Sequence, residues 1–582
     1  MLETREIARV LSDIAFYLRL KEGNPYKAVA YERAARALLL SPYTPDQFMQ
    51  GDTLISIPGI GPSTAAVIRE LVLTGGSSLY QRVKGPYPPS LVELGRVPGL
   101  RPKHIRRLWE EAGIRSVADL QAACRTNRLV SLKGIGPKLQ AKIERALGEF
   151  RRGQGYRLYA SAVGEASMLE RSLAVIPGVT NVTAAGMLRR KLEVINAFDF
   201  VVAWSGAQRA SGFLAPLSAI PNITGAAQPD ARHVTAISPT GLPVRITLSP
   251  PDDHDFHLLL ATGSEEHLAE LLTRFATRGL HSWQEIHRRV RGFTEEAIYR
   301  AAGLSFVPPA LREGRGEFEF DDGNLRGLIE SERVRGFFHV HTEYSDGSGT
   351  IEEMVAAARD RGYRYLGISD HSQSAFYANG LKEPRIRQQW AEIEAVQNRY
   401  PEIHIFKGIE ADILPDGTMD YPDELLSQFD FVIASVHSRF NLSEEDQTRR
   451  VCRALANPYV TMLGHPTGRL LLSRPGYRLN MAHVLQTART HGKVIEINGS
   501  RHRLDLDWRD IRVGKALGLK FSLNPDAHAV DELDNVRLAV NVAQKGGLVE
   551  EDIVNTSPVS AMKAFLRHTR HREQPANVKG EP

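Results

Sequence analysis

Six histidines and three acids, His339, His341, Asp346, His371, Glu410, His437, His465, Asp526 and His528, are delivered one to three at a time between Phe338 and His528. Each sits at or just after the end of a short apolar run: GFFHVHT, YLGISDH, HIFKGIE, FVIASVHS, VTMLGHP and FSLNPDAH. Side chains alternate along a strand with period two, so the two imidazoles of His339-Val340-His341 share one face and offer two ligands to one ion. Cys124 and Cys452 are the chain's two cysteines and lie far apart in sequence, which argues against thiolate ligation and against a disulfide framework. Neutral imidazole combined with carboxylate suits zinc, manganese or iron. Nine candidate ligands exceed the needs of one ion, so two or three divalent ions are expected. Paired ions activate water and stabilise the leaving oxygen of a phosphoester, which makes hydrolysis the expected chemistry.

Such residues must be positioned by the ends of many strands, as at the C-terminal mouth of a β/α barrel. From residue 336 to about 570, apolar strands alternate with helical segments such as IEEMVAAARDRG, IRQQWAEIEAVQNRY and MAHVLQTARTHG. With VIEING at Val494 to Gly499, seven strands are expected, in a TIM-like βα barrel. Taken singly, each histidine reads as an ordinary surface or core residue. Six strand ends carrying His or an acid, several inside turns such as SDH, GHP and PDAH, have no packing explanation.

The rest of the chain looks different. A chain of 582 residues, 42% hydrophobic and 24% charged, has room for several domains, and no run approaches the roughly 20 apolar residues of a membrane helix. The start, MLETREIARVLSDIAFYLRL, carries acids and a helical period, so a cytoplasmic protein without membrane partner is expected. The first 40 residues read as two helices. The text ISIPGIGPSTAAVI then returns as VPGLRPKHI at 97–105 and as LKGIGPKLQAKI at 132–143. Such Gly-containing turns let backbone amides approach a phosphate at a helix N-terminus. Gly59, Gly61, Gly99, Lys103, Gly134, Gly136 and Lys138 are therefore candidate DNA-backbone contacts, with Arg101, Arg106, Arg107, Lys133 and Lys142 beside them. The net charge of +5 permits such a polyanionic partner. The bland alternative, a tight turn with solvated lysines, fits one copy better than three.

These copies resemble helix-hairpin-helix elements, and residues 336–570 resemble the PHP metallophosphoesterases through FHVHTEYSDG, ISDH, GIEADILPDG, ASVHS, GHP and NPDAH. That resemblance implies a trinuclear centre, commonly of manganese or zinc, held by the nine residues. The acid that usually stands two residues before the first histidine is Phe337 here. Arg439, Asn498 and Arg503 are candidate contacts to a substrate phosphate.

The whole chain resembles bacterial family X DNA polymerases (PolX), supported by NPYKAVAYERAARAL, LLLATGSEEHLAEL and FTEEAIYRAAGLSFVPPALREGRGE. The resemblance implies a helical DNA-binding domain over 1–85, helix-hairpin-helix fingers over 86–155, and a nucleotidyltransferase α+β palm and thumb over 156–320. A linker over 321–335, the PHP barrel over 336–570 and a tail over 571–582 would follow. The family's palm carries Gly-Ser, Arg-Arg, Asp-x-Asp and a later third Asp. This chain has Gly186-Met187, Arg189-Arg190, Ala197-Phe198-Asp199 and Val244-Arg245. One of the three Mg²⁺-binding carboxylates remains, and Arg245 could pair with it. Nucleotidyl transfer is therefore expected to be lost, and no amine stands near Val67 for a Schiff-base lyase. The expected function is DNA repair by a metal-dependent 3′→5′ exonuclease that also cleaves at abasic sites or removes 3′-phosphates. Its partner would be primer-template, gapped or abasic DNA, and the protein a monomer. Rival readings are an active polymerase with a PHP proofreader, a small-molecule phosphatase and a non-enzymatic DNA scaffold.

Overall fold

The computed structural model describes residues 4–21, 25–40, 47–95, 97, 100–131, 136, 140–141, 143–144, 146–148, 153, 155–206, 211–290 and 294–570. The N-terminal part is helical. Thr4–Leu20 and Pro25–Leu40 pack against each other, followed by Pro62–Thr74, Pro102–Ala112 and Val117–Arg125. A single apolar core runs through this part from Ile7 to Leu147, across residue 85.

Next comes an α+β unit. Strands β1 (Arg157–Leu158) and β3 (Val194–Ile195) pair with each other. The main sheet contains β2 (Val179–Ala184), β4 (Phe198–Trp204), β5 (Thr224–Ala227), β6 (His233–Ile237) and β7 (Pro243–Ser249). Its order is β2-β4-β7-β6-β5, with β4 and β7 parallel and the other neighbours antiparallel. Helices over 254–301 build a separate core around Leu259, Phe275 and Tyr299. Within 321–335, expected to be a linker, Leu325 belongs to that helical core, whereas Ile329 and Val334 belong to the next one.

The C-terminal part is a nearly closed barrel of seven parallel strands: β8 (Gly336–Phe337), β9 (Tyr365–Ile368), β10 (His404–Asp412), β11 (Phe431–Ser435), β12 (Met462–Leu463), β13 (Val494–Asn498) and β14 (Phe521–Asn524). Just past β8 and β14 the seam is drawn shut, where His341 N–H donates to the Ala527 carbonyl at 2.8 Å and Ala527 N–H to that of His339 at 3.2 Å. The strands are buried on both faces, as parallel strands sheathed in helices are, so they read as continuous apolar runs. Polar side chains inside those runs are therefore conspicuous.

Candidate metal centre and nucleic-acid interface

All nine candidate ligands converge on the C-terminal rim of the barrel. His339 and His341 follow β8, His371 follows β9, Glu410 lies in β10, His437 follows β11, His465 follows β12, and Asp526 and His528 follow β14. They form four overlapping groups: His341, Asp346, His371 and His528; His339, Glu410 and His465; His339, His341 and Asp526; His371, Glu410 and His437. The fully buried Glu410 lies at the centre. Its Oε2 is 3.5 Å from His339 Nε2, 3.6 Å from His341 Nε2 and 2.9 Å from His371 Nδ1, while its Oε1 is 2.8 Å from His465 Nε2. Ligand atoms about 2 Å from one tetrahedral ion lie about 3.3 Å apart, so this spacing fits metal coordination.

A metal also accounts for atoms that the protein leaves bare, one nitrogen of each imidazole at most. His339 Nε2, both nitrogens of His341, His371 Nδ1, His465 Nδ1 and Glu410 Oε2 are buried without a hydrogen-bond partner. Buried polar atoms without partners cost about 1–3 kcal/mol each, and here His339 Nε2, His341 Nε2 and His371 Nδ1 all lie within 3.6 Å of Glu410 Oε2. Neutral imidazole has one lone pair to give, so His339, His341 and His371, each in two groups, serve one ion apiece. The four overlapping groups therefore cannot all keep their full ligand sets at once, and the donor set fits more than one ion.

Carboxylates behind the imidazoles fix their tautomers. His339 Nδ1 is 2.6 Å from Glu496 Oε1, and His437 Nδ1 is 2.6 Å from Asp412 Oδ1, which turns each Nε2 toward the cluster. Glu496 further accepts from His465 N–H at 2.6 Å, from Asn498 Nδ2 at 3.1 Å and from Asn524 Nδ2 at 2.9 Å. Sequence reasoning missed both acids, though signals existed. Glu496 is the one charge in the otherwise apolar strand VIEIN, and Asp412 stands two residues after Glu410, on the same strand face. Glu496 also orients the first histidine, although Phe337 stands where an acid was expected. Phe337 itself is buried in the barrel's outer core against Tyr363, their ring centroids 4.8 Å apart.

The metal-free charges are finely divided. Burial opposes protonation of His339, but Glu496, Asp526 and Glu410 outweigh it and raise its pKa well above that of ordinary imidazole. His437 and His528 are likewise raised against burial, to about 10 by Glu410 and Asp412 and to about 9 by Asp346 and Asp526. His341 is pulled down to about 3 by burial and by its neighbours His528 and His371. Backbone strain marks the same rim: His465 and Asp526 hold φ of 22° and 51°, a region that non-glycine residues seldom occupy.

The three suggested phosphate contacts separate. Arg503 reaches the rim, its Nε 3.3 Å from Asp526 Oδ2. Arg439 is exposed two residues beyond His437. Asn498 is fully buried, and its amide donates to Glu496 and to Asp526 Oδ2 at 3.0 Å. Asn498 thus lies beneath the rim, bonded to the candidate ligand Asp526.

In the α+β unit, β4 and β7 place Asp199 and Arg245 directly side by side. Arg245 Nε lies 2.7 Å from Asp199 Oδ1, although burial outweighs this guanidinium and raises the Asp199 pKa above the ordinary value. Gly186 lies so close that a Cβ there would overlap the Asp199 carboxylate. Arg189 and Arg190 are also committed. Arg189 grips Glu295 with both terminal nitrogens, at 3.0 and 2.6 Å, and Arg190 pairs with Glu313 at 3.1 Å.

Of the helix-hairpin-helix residues, Gly59 has φ of 98° and Gly61 caps Pro62–Thr74, with Gly61 N–H donating to Thr64 Oγ1 at 3.0 Å. Lys103 is exposed in the first turn of Pro102–Ala112, and Gly136 is exposed. Gly99, Gly134 and Lys138 lie outside the described residues. Val67 is buried, with no amine at the position where a lyase lysine was sought.

Comparison with known proteins finds relatives of the helical and the barrel regions. Residues 338–500 match the PHP domain family, residues 3–77 a helix-hairpin-helix domain, and residues 91–149 a SAM-like helix-hairpin-helix tandem. The chain is 32% identical over 579 residues to the DNA polymerase/3′-5′ exonuclease PolX of Bacillus subtilis, covering 97% of this chain and 99% of the relative. A stretch of 251 residues, 40% of the chain, is 31% identical to a probable phosphatase of Caldanaerobacter subterraneus and covers 91% of it. Another, of 247 residues, is 28% identical to a probable phosphatase of Vibrio parahaemolyticus and covers 94% of that protein.

Proposed function

The chain belongs to the PolX family of bacterial family X DNA polymerases with a C-terminal PHP domain, and on that footing we propose that it is a DNA exonuclease without polymerase activity. It hydrolyses phosphodiesters in the 3′→5′ direction at the barrel rim, and it acts in DNA repair on gapped, abasic or frayed primer-template. The observation that carries this reading is the convergence of nine His, Asp and Glu side chains on one rim, where His339, His341, His371, His465 and Glu410 keep buried atoms without a hydrogen-bond partner. A 3′-phosphate or an abasic end would be handled by the same centre, which is in keeping with the probable phosphatases among its relatives.

Divalent ions held by the nine residues would supply activated water and neutralise the charge that develops on the phosphate. The protein's own groups do the rest. Glu496 and Asp412 hold His339 and His437 in the tautomers that present Nε2 inward. Glu410 joins the groups through its two oxygens, and Asn498 steadies Asp526. Arg503, half in contact with Asp526, is placed to meet a phosphate oxygen. Lys103 and the Gly59–Gly61 turn would hold the DNA backbone without regard to sequence.

Loss of nucleotidyl transfer is supported by charge. Two Mg²⁺ ions need several carboxylates, whereas Asp199 faces Arg245 and Ala197 offers no ligand. Arg189 and Arg190, which a triphosphate would need, spend their donors on Glu295 and Glu313. Incubating a 5′-labelled primer annealed to template with Mn²⁺, with and without dNTPs, tests both halves. Shortening that disappears in His339→Ala/His341→Ala is expected. Extension would sink the claim of a lost polymerase, and equal shortening by the variant would sink the nuclease.

A further inference from the structure

Phe376 and Tyr377 break the rule that large aromatic rings are covered. They are 84% and 70% exposed, adjacent in sequence, and they stand on the loop that follows the candidate ligand His371. The Tyr377 ring meets His371 edge-on at 6.1 Å between centroids and His437 at 6.4 Å. Glu410, Asp412, Asp346 and Arg503 all lie close enough to act on its hydroxyl, and Arg474 is near as well. An exposed aromatic pair at the mouth of a metal centre, with Arg503 and Arg474 as well as the cluster's acids around its tyrosine, is a mark of binding.

The loop is held rather than loose. Ser372 Oγ and Ser374 N–H donate to Asp420 at 2.7 and 2.9 Å, and Leu381 N–H donates back to the His371 carbonyl at 2.8 Å. Asn379 takes φ of 56° to turn the chain, Arg385 Nη1 donates to its carbonyl at 2.8 Å, and a Cβ on Gly380 would overlap the Ser372 carbonyl. The two rings are therefore presented to solvent by an anchored turn, at a cost that packing within the protein does not explain.

Resting on the nuclease reading above, we propose that Phe376 and Tyr377 are a stacking platform for the terminal bases of a single-stranded 3′ end, which they align so that its phosphodiester reaches the metal centre. Aromatic faces accept any base, and neighbouring arginines follow the phosphates, which is how sequence-tolerant single-strand sites are built. A base still paired within a duplex keeps its own stacking partners, so a duplex end must fray before it docks. The platform thus selects unpaired or mismatched 3′ termini over blunt ends. Both residues are positioning residues, since they touch the substrate's bases and not the reacting phosphate.

The test uses the full chain with Mn²⁺ and two 5′-labelled single strands, one ordinary and one whose last two residues are base-free tetrahydrofuran analogues. The native protein should show a KM at least about 30-fold lower for the ordinary end, since two stacked bases contribute about 1–3 kcal/mol each. Phe376→Ala/Tyr377→Ala should remove that discrimination through KM with kcat for the ordinary end little changed, and Phe376→Trp/Tyr377→Phe should restore it. Both side chains face solvent, so folding is not at stake. Cleavage of the two ends with equal KM by the native protein, or discrimination that survives in the alanine variant, overturns the platform alone. No cleavage of either strand overturns the nuclease reading and the platform with it.

Discussion

Glu496→Gln exchanges one oxygen for an amide in a fully buried carboxylate, so the fold's shape is kept while its hydrogen bonding is not. Four donors converge on Glu496: His339 Nδ1 and Asn524 Nδ2 on Oε1, and the His465 amide and Asn498 Nδ2 on Oε2. A glutamine has one acceptor oxygen. Whichever way its amide turns, two donors face an NH₂ group. Hydrogen bonds to a charged acceptor contribute about 1.5–3 kcal/mol each, so the two lost bonds remove about 3–6 kcal/mol in all, shared between stability and metal affinity. In one rotamer His339 is released to take the wrong tautomer, and its Nε2 no longer points a lone pair at the cluster. Loss of such a supporting partner costs about 10- to 100-fold in metal affinity. Competition between the protein and a fluorescent chelator for Zn²⁺ or Mn²⁺ measures this, alongside the Mn²⁺ concentration that half-saturates strand shortening. Affinities within threefold of the native protein would refute the assignment of Glu496 as the support of His339.

Metal binding at pH 7 should release about three protons, because His339, His437 and His528 are protonated when metal-free and must be neutral to ligate; calorimetric heats that do not change between buffers of different ionisation enthalpy would refute this. Affinity should accordingly rise with pH through about 9 to 10, where His528 and His437 give up their protons. Arg245→Ala frees Asp199 yet should yield no dNTP incorporation on a primer-template, since one carboxylate cannot hold the ions; extension by that variant would show that the guanidinium alone suppresses the palm. Glu295→Ala strands Arg312, which is wholly buried and 2.5 Å from Glu295, and leaves Arg189 unpaired. The expected loss is about 3–5 kcal/mol, read by urea unfolding, and a change under 1 kcal/mol would contradict it. His257 is drawn down to about 4 by burial first and by Arg232 second. Its ring accepts from Arg232 at 2.6 Å and is 2.7 Å from Ser249 Oγ, so it is held neutral. A depressed folded pKa means stability present above about 6.5 and lost as pH falls toward 4, on the order of 3 kcal/mol. Native protein and His257→Gln, unfolded in parallel from pH 7 to 4, should diverge by that amount.

Much of the site could be read from local text because barrel geometry makes it local. A parallel strand buried on both faces has little use for a polar residue, so His and acids at strand ends stand out, and seven such runs imply the barrel. Asp199 and Arg245 could be paired in thought because each sits at a fixed offset in a strand. The roles of Glu496, Asp412 and Asn498 could not be read so easily. All three lie within or at the end of strands where sequence distinguishes neither inward from outward nor metal from hydrogen-bond partner. Likewise, residues 321–335 are polar enough to read as a tether, yet Leu325, Ile329 and Val334 each find a core.

The sequence by itself determined which side chains could bind metal and that Ala197 and Arg245 stand beside Asp199 where the family resemblance expects carboxylates, since these follow from residue identity and spacing. Tertiary structure decided how nine ligands are shared among overlapping groups, because a lone pair can serve one ion and its direction is set by the carboxylate behind the ring. It also decided that Arg189 and Arg190 are spent on Glu295 and Glu313, more than 100 residues away. And it put two bare aromatic rings at the mouth of the centre, where a turn closed by Asp420 and Gly380 leaves them no core to enter.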